Sequence, residues 1–155
     1  MKAQPLLFRP ATEADLPAIV HLLADDELGA QREQDTNPLP PVYYQAFSEI
    51  AQDPNNELVV VELHQRVVGT AQLTFIPSLT FTGGKRLLVE AVRVGSDFRG
   101  QQIGQQLFEW IIARARHQHC RLVQLTTNGQ RTDAHRFYHD LGFESTHVGM
   151  KLQLF

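Results

Sequence analysis

The stretch VEAVRVGSDFRGQQIGQQLFEW, residues 89–110, predicts a strand, a short turn and an amphipathic helix in direct succession. The apolar residues before Gly95 are typical of a central strand that is covered on both faces. After the turn, Ile103 and Leu107 begin an apolar stripe at helical spacing, which predicts a buried helix over 101–117. The N-terminus of such a helix points its free N–H groups and its positive dipole end beyond the strand. We therefore expect a phosphate group to bind at this turn.

Three residues of the turn support this expectation. Arg99 offers a fork of charged donors to an anion, and Gly100 and Gly104 let another group come close to the backbone. The spacing is neither that of a dinucleotide-binding GxGxxG motif nor that of a Walker A loop, because no Gly-Lys-Ser/Thr follows. A turn whose glycines serve only tight packing is the alternative.

The composition is that of an ordinary globular chain, for which we expect one domain over residues 1–155. Of the 155 residues, 43% are apolar and 20% are charged, and the net charge is −3. Cys120 is the single cysteine, which excludes an intrachain disulfide and favours the reducing cytoplasm. We find no apolar run of the length of a membrane span or a signal peptide, and the mild acidity argues against nucleic acid as the main partner.

The patterning along the chain predicts an α/β order of elements around one mixed sheet. Thr12 and Asp15 have the spacing of a capping box, and Pro17 suits the first turn of the helix that they begin. The polar, proline-rich segment 30–44 is predicted to be a loop. Helices are predicted over 12–26, 43–52, 101–117 and 133–143, and strands over 5–9, 57–63, 67–76, 87–94, 120–127, 144–146 and 149–155.

A second stretch, LTTNGQRTDAHRFYHDLGF at 125–143, contains the pattern Ala-x-x-Phe-Tyr-x-x-x-Gly-Phe. Together with the Arg-x-x-Gln-x-Gly turn of the first stretch, it makes the chain resemble the GNAT N-acetyltransferase superfamily over nearly its whole length. The resemblance implies a three-layer α/β fold with a mixed, mostly antiparallel sheet of six to seven strands and about four helices. It also implies that acetyl-CoA lies in a splay between the fourth and fifth strands.

For function, the resemblance implies transfer of an acetyl group from acetyl-CoA to a primary amine of a small molecule or peptide. The transfer would be a direct attack in a ternary complex, with acetyl-CoA as co-substrate and without a metal. A non-catalytic module that senses acyl-CoA, or is regulated by it, is the alternative.

The resemblance assigns the cofactor to the end of the central strand, the turn and the start of the helix. Gln102 stands where the family usually has a glycine, and because glutamine is the better helix former we expect the turn to lose nothing. Arg131 stands where many members have asparagine and is a candidate for a CoA phosphate, with a solvated loop charge as the alternative. The expected cofactor-binding residues are Val92, Arg93, Val94, Arg99, Gly100, Gln101, Gln102, Ile103, Gly104, Gln105 and Arg131.

Acetyl transfer to an amine needs a proton acceptor, a polarised carbonyl and a proton donor for the leaving thiolate. By resemblance, Tyr138 is the proton donor and a backbone N–H near Val92 polarises the carbonyl; packing of Tyr138 with Phe137 is the alternative. Glu90 is the candidate base, because a carboxylate buried in an apolar strand needs a partner or a purpose. Strand alternation predicts that Glu90 shares a face with Val92 and Val94, and a buried ion pair is the alternative.

The histidines and the cysteine do not predict a metal site. The HQHC sequence at 117–120 lies at a helix end, where imidazole suits the dipole, and no second cluster completes a ligand set. His135 and His139 are four residues apart but lack the glutamate of an HExxH motif. Cys120 has no recognisable base beside it and is not expected to be a nucleophile.

The surface that meets the acceptor is expected from the first two helices, their connection and the loop 77–86. The segment 24–44 brings several carboxylates together with Tyr43 and Tyr44, which suits a cationic amine. A solvated acidic loop is the alternative. The carboxylates are those of Asp25, Asp26, Glu27, Glu33 and Asp35.

The C-terminal stretch THVGMKLQLF, residues 146–155, alternates apolar and polar residues as a strand does. A bare edge strand risks aggregation, so this strand is expected to be covered. Either a homodimer, as is common in the family, or the chain itself would cover it.

Overall fold

A computed structural model describes residues 5–155 of the chain. These residues form two compact units, a first that ends at Gln124 and a second over Leu125–Phe155, and each is described by itself. The single domain over 1–155 stays a prediction. Residues 1–4, on which the expectation about targeting segments partly rests, lie outside the described residues. No helix in the described part is long and apolar enough to cross a membrane.

The five strands of the described residues form one mixed sheet, in which they follow one another in chain order. They are β1 (Leu7–Pro10), β2 (Asn56–Leu63), β3 (Arg66–Ile76), β4 (Arg86–Val94) and β5 (Leu122–Gln124). Neighbours are antiparallel from β1 to β4, and β4 and β5 are parallel. His64 and Gln65, with φ of 49° and 62°, form the turn between β2 and β3, as in a type I′ hairpin.

The described residues contain six helices, where about four were expected. They are α1 (Leu16–Ala24), α2 (Glu27–Arg32), α3 (Pro41–Gln52), α4 (Thr80–Gly83), α5 (Ile103–His117) and α6 (Thr132–Asp140). The short α2 extends into the predicted loop because Asp26 caps it, accepting the Gly29 N–H at 2.6 Å. The single turn α4 contains Phe81 and Thr82 at positive φ, a conformation that has no periodic sequence pattern.

The sheet has fewer strands than the six or seven expected, because the segments 144–146 and 149–155 are not strands. Their alternating pattern suits a strand, but a strand forms only where its backbone groups pair with a neighbour. The described residues show no such pairing for these two segments. The large apolar side chains of the C-terminal segment are instead at least 79% exposed: Val148, Met150, Leu152, Leu154 and Phe155.

One face of the sheet packs against α1 and α3. Leu16, Ile19 and Val20 of α1 form a buried cluster with Val60 of β2. Phe47 of α3 packs against the same cluster. The apolar positions of α1 recur at helical period, so the helix turns one continuous stripe toward the sheet.

The helix α5 covers the opposite face. Phe8 of β1 pairs with Val61, and residues paired across strands share a face, so Phe8 lies on the side away from Val60. Trp110 of α5 stacks on Phe8 with ring centroids 5.7 Å apart. Leu107 of α5 is completely buried. These contacts confirm the three-layer α/β arrangement.

An ion pair fixes the start of α1 to β1. The carboxylate of the buried Asp15 accepts two hydrogen bonds from the Arg9 guanidinium, at 2.7 and 2.9 Å. It also accepts the Thr12 backbone N–H at 2.7 Å, which is part of the expected capping box. Above all, the hydrogen bonding by Arg9 lowers the pKa of Asp15 from 3.8 to about 2, against the opposing effect of burial.

We expect this carboxylate to make the protein less stable in acid. A lowered pKa means that Asp15 contributes stability that is complete above pH 4 and is lost as the pH falls toward 2. The substitution Asp15→Asn should lower the free energy of unfolding at neutral pH by about 2 kcal/mol and flatten its decline in that window. Urea unfolding at several pH values measures both effects. The exposed Glu13 provides the control Glu13→Gln, and equal effects of the two substitutions would contradict the assignment.

Candidate functional site

The strand β4 carries a bulge. Between the cross-strand pairs Gln72–Glu90 and Thr70–Arg93, β4 has one residue more than β3. Ala91, within this extra length, has a φ of 52°, which is uncommon for a residue other than glycine. Bulges occur beside active sites, where they re-aim side chains and leave backbone groups out of the ladder.

The bulge changes which side chains of β4 share a face. Glu90 and Arg93 pair with β3 residues that are two apart, so both lie on the face of Thr70. Val94 follows Arg93 and faces the other way, while Val92 lies in the bulge. The expectation that Glu90 shares a face with Val92 and Val94 is therefore wrong, because regular alternation does not continue through a bulge.

Glu90 lies on the face of the sheet that α1 and α3 cover, because Thr70 pairs with Val60 of the α1 cluster. Glu90 itself is exposed, so the premise that an apolar strand buries it is also wrong. Beside it, Gln72 Nε2 donates to Asn56 Oδ1 at 3.2 Å. Sequence reasoning missed Gln72, because its place opposite Glu90 depends on strand register. A row of polar side chains thus follows this face across β2, β3 and β4.

The parallel pairing of β4 with β5 is short. It begins at Arg86–Leu122 and ends at Leu88–Gln124, whereas β4 continues to Val94. The bulge therefore lies beyond the end of this pairing. An extended ligand can hydrogen-bond to strand backbone at such an edge, as an added strand does.

Left-handed residues shape the turn after β4. A 3₁₀ turn, Ser96–Phe98, comes first, and its last N–H donates to the Gly95 carbonyl at 2.9 Å. Gly100 and Gln102 then have φ of 76° and 62°. Left-handed residues next to right-handed ones gather backbone N–H groups into a concave anion site.

The N-terminus of α5 is open to a ligand. The N-cap Gln102 makes no side-chain hydrogen bond to the helix. The Gln106 N–H donates to the Gln102 carbonyl at 3.0 Å, and the N–H groups before it have no carbonyl within their own helix. The exposed Arg99 adds a positive charge, and a Cβ at Gly100 would meet no atom within 4 Å. The charge, the donors and the open space fit a pyrophosphate.

The expectation that Gln102 does not destabilise the turn is wrong. Helix propensity does not apply to this residue, because it is a left-handed N-cap with φ 62° and ψ 15°. This region is unfavourable for a residue with a Cβ by about 1–2 kcal/mol, and glycine escapes the penalty.

The second unit contains the other two expected site residues, Tyr138 and Arg131. Tyr138 lies on α6, half-buried, with its ring edge-on to Phe137 at 5.4 Å and to Phe143 at 5.8 Å between centroids. Arg131 is the N-cap residue of α6 and is also half-buried. Gly142, with φ 93°, follows the helix end as expected. Aromatic packing therefore holds the Tyr138 ring in place.

Most carboxylates of the acidic segment 24–44 accept hydrogen bonds within the chain. Glu33 accepts the Tyr43 hydroxyl at 3.0 Å, and Asp35 lies 2.7 Å from His21 Nδ1. Glu27 is exposed and makes no such contact among the described residues. The remaining two, Asp25 and Asp26, accept backbone N–H groups.

Among the described residues, the cysteine and the histidines are the remaining candidates for a nucleophile or a metal site. Burial raises the pKa of the Cys120 thiol, which disfavours the reactive thiolate. Within residues 5–155, no three His, Cys, Asp or Glu side chains are grouped as metal ligands would be.

The fold and the turn define a class of protein: a three-layer α/β protein in which a bulged strand runs into a helix whose N-terminus suits phosphate. The profile of the Acetyltransferase (GNAT) family matches residues 17–143. The chain belongs to the GNAT acetyltransferase family.

Three similar proteins illustrate the relationship. A transcriptional regulator from Bacillus halodurans C-125 is 49% identical, with a TM-score of 0.93 over 97% of this chain and 100% of that one. An aminoalkylphosphonate N-acetyltransferase of Salmonella typhimurium strain LT2 is 47% identical over 49 residues, which are 32% of this chain and only about a third (32%) of that protein. A predicted acetyltransferase from Clostridium acetobutylicum with acetyl-CoA shares the fold, with 16% identity, a TM-score of 0.71 and 97% of each chain covered.

We expect Gln102→Gly to stabilise the protein. Glycine removes the free-energy penalty of the left-handed conformation. Glycine is also more flexible in the unfolded chain, which offsets part of this gain, so the net stabilisation is up to about 1 kcal/mol. The neighbouring Gln101 is not among the residues with positive φ, so the control Gln101→Gly should destabilise by about 0.5–1 kcal/mol. Urea unfolding compares the two. Equal destabilisation by both substitutions would show that residue 102 is not under strain.

Proposed function

We propose that the protein transfers the acetyl group of acetyl-CoA to a primary amine of a small molecule or peptide, by direct attack in a ternary complex. The observation that carries the proposal is the succession of the bulge in β4 and the open N-terminus of α5. Their backbone groups suit a thioester carbonyl and a pyrophosphate respectively. Family membership and the N-acetyltransferase from Salmonella support the reaction class.

In this proposal the backbone of the turn and the Arg99 side chain hold the pyrophosphate. The backbone of 92–94 runs beside the pantetheine arm, at the edge of β4 beyond the end of its pairing with β5. Arg131 contributes a contact to a CoA phosphate. No metal takes part, because the thioester is already activated and its carbonyl can be polarised by backbone N–H groups.

Glu90 is the proposed base and Tyr138 the proposed acid. Glu90 takes the proton of the amine, directly or through a water molecule, and the amine nitrogen bonds to the thioester carbonyl carbon. The Val92 backbone N–H stabilises the negative charge that develops on the carbonyl oxygen. The carbon–sulfur bond then breaks, and Tyr138 donates its phenolic proton to the sulfur. Solvent exchanges protons with both side chains, which leaves an amide, the CoA thiol and an unchanged enzyme.

The acidic segment gives limited support to a cationic acceptor. Four of its carboxylates are engaged within the chain, and Glu27 is the one that the described contacts leave for an amine. The relative from Salmonella is named for an aminoalkylphosphonate, which bears an anionic group beside its amine. We therefore propose a small primary amine and make its further charge the variable of the test. Polyamines and aminoglycosides provide cationic acceptors, amino acids and peptides intermediate ones, and aminoalkylphosphonates anionic ones.

A second candidate function is a regulatory module that binds acyl-CoA without turnover. The similar protein from Bacillus halodurans, which matches almost the whole chain, is described as a transcriptional regulator. The two functions differ in one observable, the release of free CoA thiol from acetyl-CoA on addition of an amine. Amine-dependent release supports the transferase. Binding of acetyl-CoA without release by any acceptor in the series favours the module.

We expect the phenol of Tyr138 to be needed for turnover and not for binding. Tyr138→Phe should keep the fold and the affinity for acetyl-CoA, because phenylalanine keeps the ring that packs edge-on against Phe137 and Phe143, and should lower the rate of amine-dependent release by about 10² or more. Glu90→Gln should remove the acidic limb of the pH–rate profile. Full activity of Tyr138→Phe rejects the acid, and an unchanged acidic limb in Glu90→Gln rejects the base.

We also propose that the protein acts in the cytoplasm as a homodimer joined through residues 146–155. The single cysteine favours a reducing compartment. The apolar side chains of this segment are exposed and alternate along the sequence, so a strand from a second copy can cover them while it supplies backbone partners.

Light scattering over a range of concentrations should show a dimer. Leu152→Glu places a charge among the exposed apolar side chains and should shift the protein to monomer, because burying an unpaired charge is unfavourable. Gln153→Glu, the next residue along the segment, adds the same charge and should leave the dimer intact. A wild-type protein that is monomeric at high micromolar concentration contradicts the proposal.

A further inference from the structure

Asp25 connects the C-terminal end of α1 to the turn that follows β4. Its Oδ2 accepts the backbone N–H of Ser96 at 2.8 Å, and its Oδ1 accepts the Ser96 hydroxyl at 3.2 Å. Ser96 begins the 3₁₀ turn, where the first N–H group has no carbonyl of its own turn to bind. Asp25 therefore caps this turn from a different element of the fold.

A second contact joins the same two elements. A Cβ on Gly95 would lie 3.3 Å from Leu22 Cδ2 of α1 and 3.3 Å from Phe98 Cδ2. Gly95 therefore packs closely against both side chains, with little room for a larger residue. On the other side, the Gly95 N–H donates to the carbonyl of Val68 in β3 at 2.9 Å. The start of the turn is thus held between α1 and β3, and its position depends on both.

We propose that Asp25 is a positioning residue for the turn that binds the CoA pyrophosphate. By holding Ser96, it sets the start of the backbone that continues into Gly100 and Gln102. It also links this turn to α2, which begins two residues after Asp25 on the acceptor side. The inference rests on the proposed function, since that function assigns the turn to acetyl-CoA.

The charge of Asp25 separates positioning from a purely electrostatic effect. A carboxylate near a polyphosphate is unfavourable by Coulomb's law, so its removal would tighten CoA binding if charge alone mattered. Loss of the hydrogen bonds that place the turn would weaken binding instead. The sign of the change in affinity therefore distinguishes the two roles.

Linkage gives a second, independent readout. If the contact between Asp25 and Ser96 favours the shape of the turn that binds CoA, then bound CoA must favour the contact by the same factor. The stabilised contact should slow amide hydrogen exchange in α2, which lies next in the chain. A side chain that merely supports the fold would not make this protection depend on CoA.

The experiment measures the dissociation constant of CoA by calorimetry for the wild type, Asp25→Ala, Asp25→Asn and Asp97→Asn. Asp97 is an exposed carboxylate in the same turn, and the described residues show no hydrogen bond through its side chain, so it is the matched control for charge. Asp25→Ala should weaken CoA binding about ten-fold. Asp25→Asn should recover most of this loss, because its amide oxygen still accepts the Ser96 N–H. Asp97→Asn should bind CoA equally or more tightly.

Kinetics and hydrogen exchange complete the test. Asp25→Ala should raise the KM for acetyl-CoA about ten-fold while kcat at saturation stays within about two-fold. CoA should protect α2 from exchange in the wild type and not in Asp25→Ala. Should Asp25→Ala fail to fold, Ser96→Ala, which removes the hydroxyl bond to Asp25 and keeps the charge, must weaken CoA binding instead.

The outcomes separate this inference from the function on which it rests. Unchanged or tighter CoA binding by a folded Asp25→Ala overturns the positioning role and leaves the proposed function intact. Retained protection of α2 by CoA in that variant also overturns it. A wild-type protein that binds no CoA overturns the proposed function, and the positioning role with it.

Discussion

The extra residue in β4 is the constraint on which the proposed site depends. In a regular strand, residues three apart face opposite sides of the sheet, so Glu90 and Arg93 would be separated by it. The bulge brings both to the face that α1 and α3 cover. It also removes backbone groups of β4 from the hydrogen-bonded ladder with β3, at a point beyond the end of the pairing between β4 and β5. One local irregularity thus places Glu90 and Arg93 on one face and leaves backbone donors at the sheet edge.

The backbone around the site is unfavourable in two places, at Ala91 and at Gln102. Both have left-handed φ although neither is a glycine. Such conformations persist where the surrounding structure over-determines them, and they concentrate at functional sites. Ala91 lies between paired segments of the β3–β4 ladder, and Gln102 joins a turn held by α1 and β3 to a helix that is anchored in the core through Ile103. The rest of the fold therefore holds these two residues in place.

The sequence predicted those features of the fold that local residue patterns determine. Periodicity predicted α5, and the capping box expected at Thr12 and Asp15 is present, although it begins the 3₁₀ turn Glu13–Asp15 that leads into α1 at Leu16. The face of Glu90 was missed because a bulge at an alanine leaves no mark in the alternation of residues. The conformation of Gln102 was missed because the turn, and not helix propensity, decides it. The hydrogen bonds of Asp25 join residues 71 positions apart, which no local pattern shows.

The strands predicted at the C-terminus are not found, and the reason is a different one. An alternating pattern describes which side chains would share a face, but it does not supply the neighbouring strand on which a ladder depends. For residues 146–155 the pattern is present and the partner is not found among the described residues. The homodimer proposal is one way to supply it.

The stacking of Trp110 on Phe8 decides what the intrinsic fluorescence of this protein can report. The chain has one tryptophan, and its ring joins α5 to the first strand of the sheet. The fluorescence emission of Trp110 therefore reports whether α5 is packed against β1. Tryptophan fluorescence therefore reports on the first unit only. The second unit, Leu125–Phe155, contains no tryptophan, and its unfolding is followed through its tyrosine or through backbone circular dichroism.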